Sequence, residues 1–378
     1  MLGYPLRAAF SFAFLFVMAS SPSLLSQDAG FKDFNRFKAV VPGVDFFASN
    51  RQLVTPYEKP IAEARERLAN LLGQNPPPGA IFVCSTLAQK DAVYEPRALK
   101  MGFSWILSVL TPEARADEMM ARLKQSGVEI PADRLERMRS RAAENRPAME
   151  AGLARGAARD MAFAVLQVAL APDREFRLSR VDDMGRSPLP DWLDIGIASY
   201  ASGSAGNVGF LQQHLEEIFP LEDILTMSRP FVAPGSETGG GQMVFRMERP
   251  AGAAGAPATG GAPAGGDQTA TPGSSGVRMG GPRTLPKDQQ DRMMFDGQAA
   301  SFFTFLVEKA GIEKIKEVVS TAREKKDATE VLKGIPAVGE DFDKAEEEWT
   351  SWLKTQKPDP NQEFRFRMGG ERSERPPQ

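Results

Sequence analysis

The sequence predicts an α+β fold, a small N-terminal sheet with helices followed by a mainly helical C-terminal half. Three observations carry this. The apolar run Ala80-Ile81-Phe82-Val83-Cys84-Ser85 follows the breaker Asn75-Pro76-Pro77-Pro78-Gly79 and reads as a core strand. An amphipathic stretch from Glu58 to Leu72 separates it from a second strand-like run, Asp45-Phe46-Phe47-Ala48-Ser49, so strand, helix and strand open the domain. Beyond Arg159 the apolar residues recur at helical spacing, in ARDMAFAVLQVAL, FDGQAASFFTFLVEKA and FDKAEEEWTSWL. A length of 378 residues suits one large or two ordinary domains, and 42% apolar residues support a packed core. The net charge of −3 argues against an electrostatic nucleic-acid binder. Cys84 is the single cysteine, which excludes an intrachain disulfide and a CxxC metal site.

Taken in order, residues 1–26 read as a secretory signal peptide. Arg7 supplies the basic start, AAFSFAFLFVMA the apolar segment, and SSPSLLS the small residues for cleavage near Ser26. The expected location is therefore secreted or periplasmic, with no stable membrane anchor after cleavage. The uncleaved alternative, an N-terminal anchor helix, is disfavoured because the apolar run is shorter than about 17 residues. Residues 27–233 hold the N-terminal α/β part and the central helices. In the first helix Ile61, Ala64, Leu68, Leu71 and Leu72 share a face, and Gly73 is the stop. The run from Ala98 to Leu110, with Trp105, reads as an apolar helix in the core. From Thr111 to Arg159 the chain reads as charged helix, where Arg134, Arg137, Arg139 and Arg141 alternate with acids and so form a solvated face rather than a basic patch. ARDMAFAVLQVAL and the phrase SPLPDWLDIGIASYASGS then read as two apolar helices joined by a short polar loop. Asn207 to Phe219 reads as a further helix carrying His214.

Residues 234–286 are dominated by Gly, Ala, Pro, Ser and Thr and are expected to be a disordered insertion, since such a composition buries too little apolar surface to offset backbone entropy. Three segments, Val244–Met247, Val277–Gly281 and Phe364–Gly370, share an apolar-Arg-Met phrase in otherwise featureless sequence; they read either as short docking strands for a partner or as chance. Residues 287–356 supply the C-terminal helices of the same domain, over Phe295–Ala310, Ile312–Thr321, Ala328–Leu332 and Phe342–Leu353. Residues 357–378 form a polar, Pro-rich tail, expected to be disordered.

The phrase Pro190-Asp191-Trp192-Leu193-Asp194-Ile195-Gly196-Ile197-Ala198-Ser199-Tyr200 resembles a pattern of the peptidase MA-like group of gluzincin metallopeptidases. In that family a helix reading roughly P-x-W-L-x-E-G-x-A-x-Y carries the third zinc ligand, after an HExxH helix. Two His at i and i+4 share one helix face, and a Glu from a second helix completes the site. Looser likenesses extend it: the Leu72-Gly73 helix ending, the leucine-rich Pro220–Leu225, Phe305-Leu306 with Gly311, and Glu346, Trp349 and Leu353 near the end. The resemblance spans most of residues 45–355 with the insertion removed, and it implies a zincin-like fold.

The zinc chemistry does not come with it. The Glu position falls on Ile195, and the HExxH frame on Asp160-Met161-Ala162-Phe163-Ala164; the degenerate positions are thus Asp160, Met161, Ala164 and Ile195. The chain has one histidine, His214, downstream of both motifs. His214 and Glu217 could share a metal but have no third partner in view. No metal or other cofactor is expected, and the cleft candidates are Trp192, Asp194, Tyr200 and His214. Two function classes follow. The first is a secreted non-catalytic pseudopeptidase, a scaffold for an unidentified peptide or protein partner in the cell envelope. The second is a hydrolase with a non-HExxH site, which would need His214 as base or a carboxylate pair drawn from Asp160, Asp191 and Asp194. No GxSxG is present, and Asp191 and Asp194 are more simply first-turn acids complementing a helix dipole.

Overall fold

A computed structural model describes residues 31–125 except 32, 40, 41 and 93, then 136, 140, 144–171, 187–230 except 205, and 287–358. The signal segment 1–26, the arginines at 134–141, the whole 234–286 insertion, the three Arg-Met phrases and nearly all of the tail lie outside the described residues. The architecture is α+β. Four short strands, β1 (Asn35–Lys38), β2 (Val44–Ala48), β3 (Gly79–Cys84) and β4 (Trp105–Leu110), lie in the order β1-β2-β3-β4. β1 runs antiparallel to β2, and β2, β3 and β4 are mutually parallel. The β2-to-β3 crossover is α1 (Thr55–Leu72); α2 (Leu87–Asp91) and α3 (Glu95–Lys100) fill the β3-to-β4 crossover.

β3 is buried along its whole length, which is why it reads as a continuous apolar run rather than an alternating one. Its period of two splits the side chains. Ile81 and Val83 join the main core with Phe46 and Trp105, whereas Ala80, Phe82 and Cys84 join a second cluster with Phe47, Phe103 and Leu110. On that second face Phe82 stacks between Phe47 (4.7 Å) and Tyr94 (4.5 Å). Burial pushes the Cys84 thiol up to about 12, so it packs as an inert apolar group. Gly79 pairs opposite Trp105, and a Cβ there would lie inside the indole.

The expected helix over Ala98–Leu110 is corrected: α3 ends at Lys100 and Trp105–Leu110 is strand β4. Gly102, at φ +86, breaks the run, and six residues paired with β3 are too few to compete as a helix.

α4 (Pro112–Gln125) is the charged helix after β4. α5 (Arg146–Leu170) and α6 (Asp191–Ala201) are the central helices; their connection, Ala171 to Pro190, is longer than the short loop expected. α7 (Val208–Gln213) and α8 (Leu221–Thr226) are short. α9 (Lys287–Ala310), α10 (Ile312–Arg323), α11 (Thr329–Lys333) and α12 (Phe342–Thr355) make the C-terminal half. α5 packs on α1 and β4, α6 on α5 and α1, and α9 on α6 and α12. Residues on both sides of the insertion therefore share one core, in which Trp105, Trp192, Phe302, Phe303 and Trp349 are fully or almost fully buried.

Candidate functional site

α6 enters the core behind the turn Ser187-Pro188-Leu189-Pro190, with Pro190 at its N-cap and Asp191 and Asp194 in its first turn. Gly196 is required further along: a Cβ there would lie 2.6 Å from Phe303 Cβ, so its absence lets α6 and α9 approach closely. Trp192 packs against Phe302 at 6.1 Å between ring centroids, and Tyr200 against Phe303 at 5.7 Å. Trp192 is thus a core side chain, while Tyr200 is half-buried.

The four degenerate positions divide. Met161, Ala164 and Ile195 are 0%, 7% and 2% exposed and contribute side chains to the main core. Asp160 is half-buried; burial pushes its carboxyl up to about 6, opposed by the charges of Arg159 and Arg115. α5 and α6 do pack together, so the elements carrying these positions are neighbours.

The helix expected over Asn207–Phe219 is also corrected. α7 stops at Gln213, and His214 is its C-cap. The buried Gln298 side chain accepts from the Phe219 amide (2.9 Å) and donates to its carbonyl (2.8 Å), holding this segment outside a helix. His214 Nδ1 lies 3.1 Å from Glu217 Oε1, and its ring lies 4.5 Å from that of Phe210. Among the described residues no group of three or more His, Cys, Asp or Glu is assembled that could hold a metal ion.

What sequence reasoning missed lies at the start of α6. Arg229, after α8, clasps Asp296 of α9 through Nε (2.7 Å) and Nη2. The Arg229 amide donates to Asp191 Oδ2 (2.8 Å), and Arg159 Nη2 of α5 lies 3.6 Å from Asp296 Oδ2. Burial would raise the Asp296 carboxyl, but the charge and hydrogen bonds of Arg229, with Arg159 and Arg292, outweigh it and hold the group below its usual range. Arg229 and Asp296 are 67 residues apart, and no local spacing signals their pairing.

Asp194 is 1% exposed. Ser187 Oγ donates to its Oδ1 at 2.5 Å, while Oδ2 is buried without a hydrogen-bond partner. Burial pushes this acid up to about 7; the Ser187 hydrogen bond opposes the rise and the Asp191 charge adds to it. At neutral pH the site thus holds one protonation-poised acid and one arginine-neutralised carboxylate. Comparison of the chain with protein-family models, with curated proteins and with solved structures returns no match.

Proposed function

We propose that this is an exported, secreted or periplasmic, non-catalytic protein on a zincin-like scaffold, which binds a peptide or protein partner in the cell envelope. The observation that carries the reading is the burial of Met161, Ala164 and Ile195 as apolar core side chains. These are the positions where the resembled peptidases place the catalytic glutamate, the second histidine and the third ligand. A hydrolytic zinc needs about three protein ligands and an open coordination position. A methionine, an alanine and an isoleucine packed into a core offer neither ligand nor opening.

The hydrolase alternative draws on Asp194, since a buried acid with a raised pKa is a usual mark of a functional site. Its burial counts against it, because a general acid must come within hydrogen-bond reach of substrate. The test is turnover of mixed peptide and ester substrates by the mature chain and by a His214→Ala, Asp194→Asn double variant. The expected outcome is the same background rate for both. Turnover by the mature chain that the double variant lacks would overturn the non-catalytic reading.

A further inference from the structure

The turn into α6 is closed by a single carboxyl. The Leu189 amide donates to Ser187 Oγ (3.0 Å), and Ser187 Oγ donates to Asp194 Oδ1 (2.5 Å), so one side chain ties residues 187–190 to the first turn of the helix. The other oxygen, Oδ2, has neither hydrogen-bond partner nor solvent. A protonated acid tolerates this arrangement. A carboxylate does not: the Ser187 hydrogen bond favours it, but burial is the larger effect, because an ionised oxygen without donors keeps its full desolvation penalty.

The charges presented by the elements packed around α6 do not relieve it. Arg229 and, from α5, Arg159 are engaged with Asp296 of α9. Arg292 of α9 acts on that same carboxylate. Arg67 of α1 caps the far end of α6 through the Tyr200 and Ala201 carbonyls. Asp160 of α5 is a half-buried acid and supplies no positive charge. The charge that does act on Asp194 is Asp191, and it repels.

We propose that Ser187 and Asp194 form a proton-dependent latch: the 187–190 turn stays closed on α6 while Asp194 is protonated and opens to admit water to Oδ2 when it ionises. The burial that raises the acid to about 7 places this opening near neutrality. The latch rests on this turn alone and does not depend on the functional reading above.

Hydrogen exchange by mass spectrometry on the full chain tests it, following peptides over 187–195 from about pH 5 to about pH 9 with the intrinsic pH dependence removed. In the wild type, protection there should fall by about tenfold or more through neutrality. Peptides over 299–306 should hold constant. Asp194→Asn, neutral at every pH, should remain protected throughout. Asp191→Asn, which removes the repelling charge, should move the midpoint to lower pH. The latch is overturned if wild type and Asp194→Asn respond alike, if the wild type shows no response, or if the Asp191→Asn midpoint does not move. This last arm decides the matter if the Asp194→Asn chain does not fold.

Discussion

A carboxylic acid buried beside another carboxylate ties stability to pH in the direction opposite to an ion-paired one. Unfolded, Asp194 titrates near 3.9, as aspartates do; folded, it is raised to about 7. Between those values the folded chain holds more protons than the unfolded chain, so stability falls as pH rises through this window. At about 1.4 kcal/mol per unit the loss is at most about 4 kcal/mol, less whatever opening the turn relieves. Asp160, raised to about 6, adds a smaller fall of the same sign. Denaturant unfolding at about pH 5 and about pH 8 should therefore show wild type losing more stability than Asp194→Asn. Equal losses would contradict the assignment. Asp296 behaves oppositely. Its folded pKa is held below the unfolded value, so its stabilisation is present above that value and lost as pH falls through the folded one. Arg229→Ala leaves this carboxylate without its main partner and should cost about 2–3 kcal/mol at neutral pH. The cost should shrink in acid, as urea titrations at the two extremes would report.

At the scale of elements, the sequence was informative wherever one local signal sufficed. The PPPG breaker and the β-branched run mark β3, and the spacing of Ile61, Ala64 and Leu68 marks α1, which ends at Gly73 with φ +65. It misled where tertiary contacts decide. β4 and a buried helix give the same apolar run, and pairing with β3 selects the strand. Past Gln213 the chain has helical composition, yet Gln298, 79 residues from Phe219, holds it in a turn. The contact between α6 and α9 gives a sharp prediction. Gly196→Ala drives a methyl group against Phe303 in a packed interior and should destabilise the fold by about 1–3 kcal/mol, read from the denaturant midpoint. A neutral effect would mean that α6 and α9 do not approach as closely as described.

For the whole molecule, the packing of α9 onto α6 and α12 joins residues before and after the 231–286 segment into one core. Calorimetry on the full chain should accordingly give one cooperative transition with equal calorimetric and van't Hoff enthalpies. Two separated transitions would divide the core at that segment. The candidate site was legible in part. The Trp192 phrase marks α6, and one histidine in the whole chain rules out an HExxH pair. The Arg229–Asp296 clasp and the burial of Asp194 were not legible, because both depend on tertiary packing: Arg229 and Asp296 are 67 residues apart, and nothing local marks Asp194 as buried. The central proposal, a non-catalytic zincin-like scaffold, rests on Met161, Ala164 and Ile195 being core side chains. Zinc content of residues 27–378, purified without chelator and without a His-tag, tests it most directly. The account predicts far less than one zinc per chain in a folded sample that zinc addition does not stabilise; about one tightly held zinc per chain, lost with stability on chelation, would contradict it.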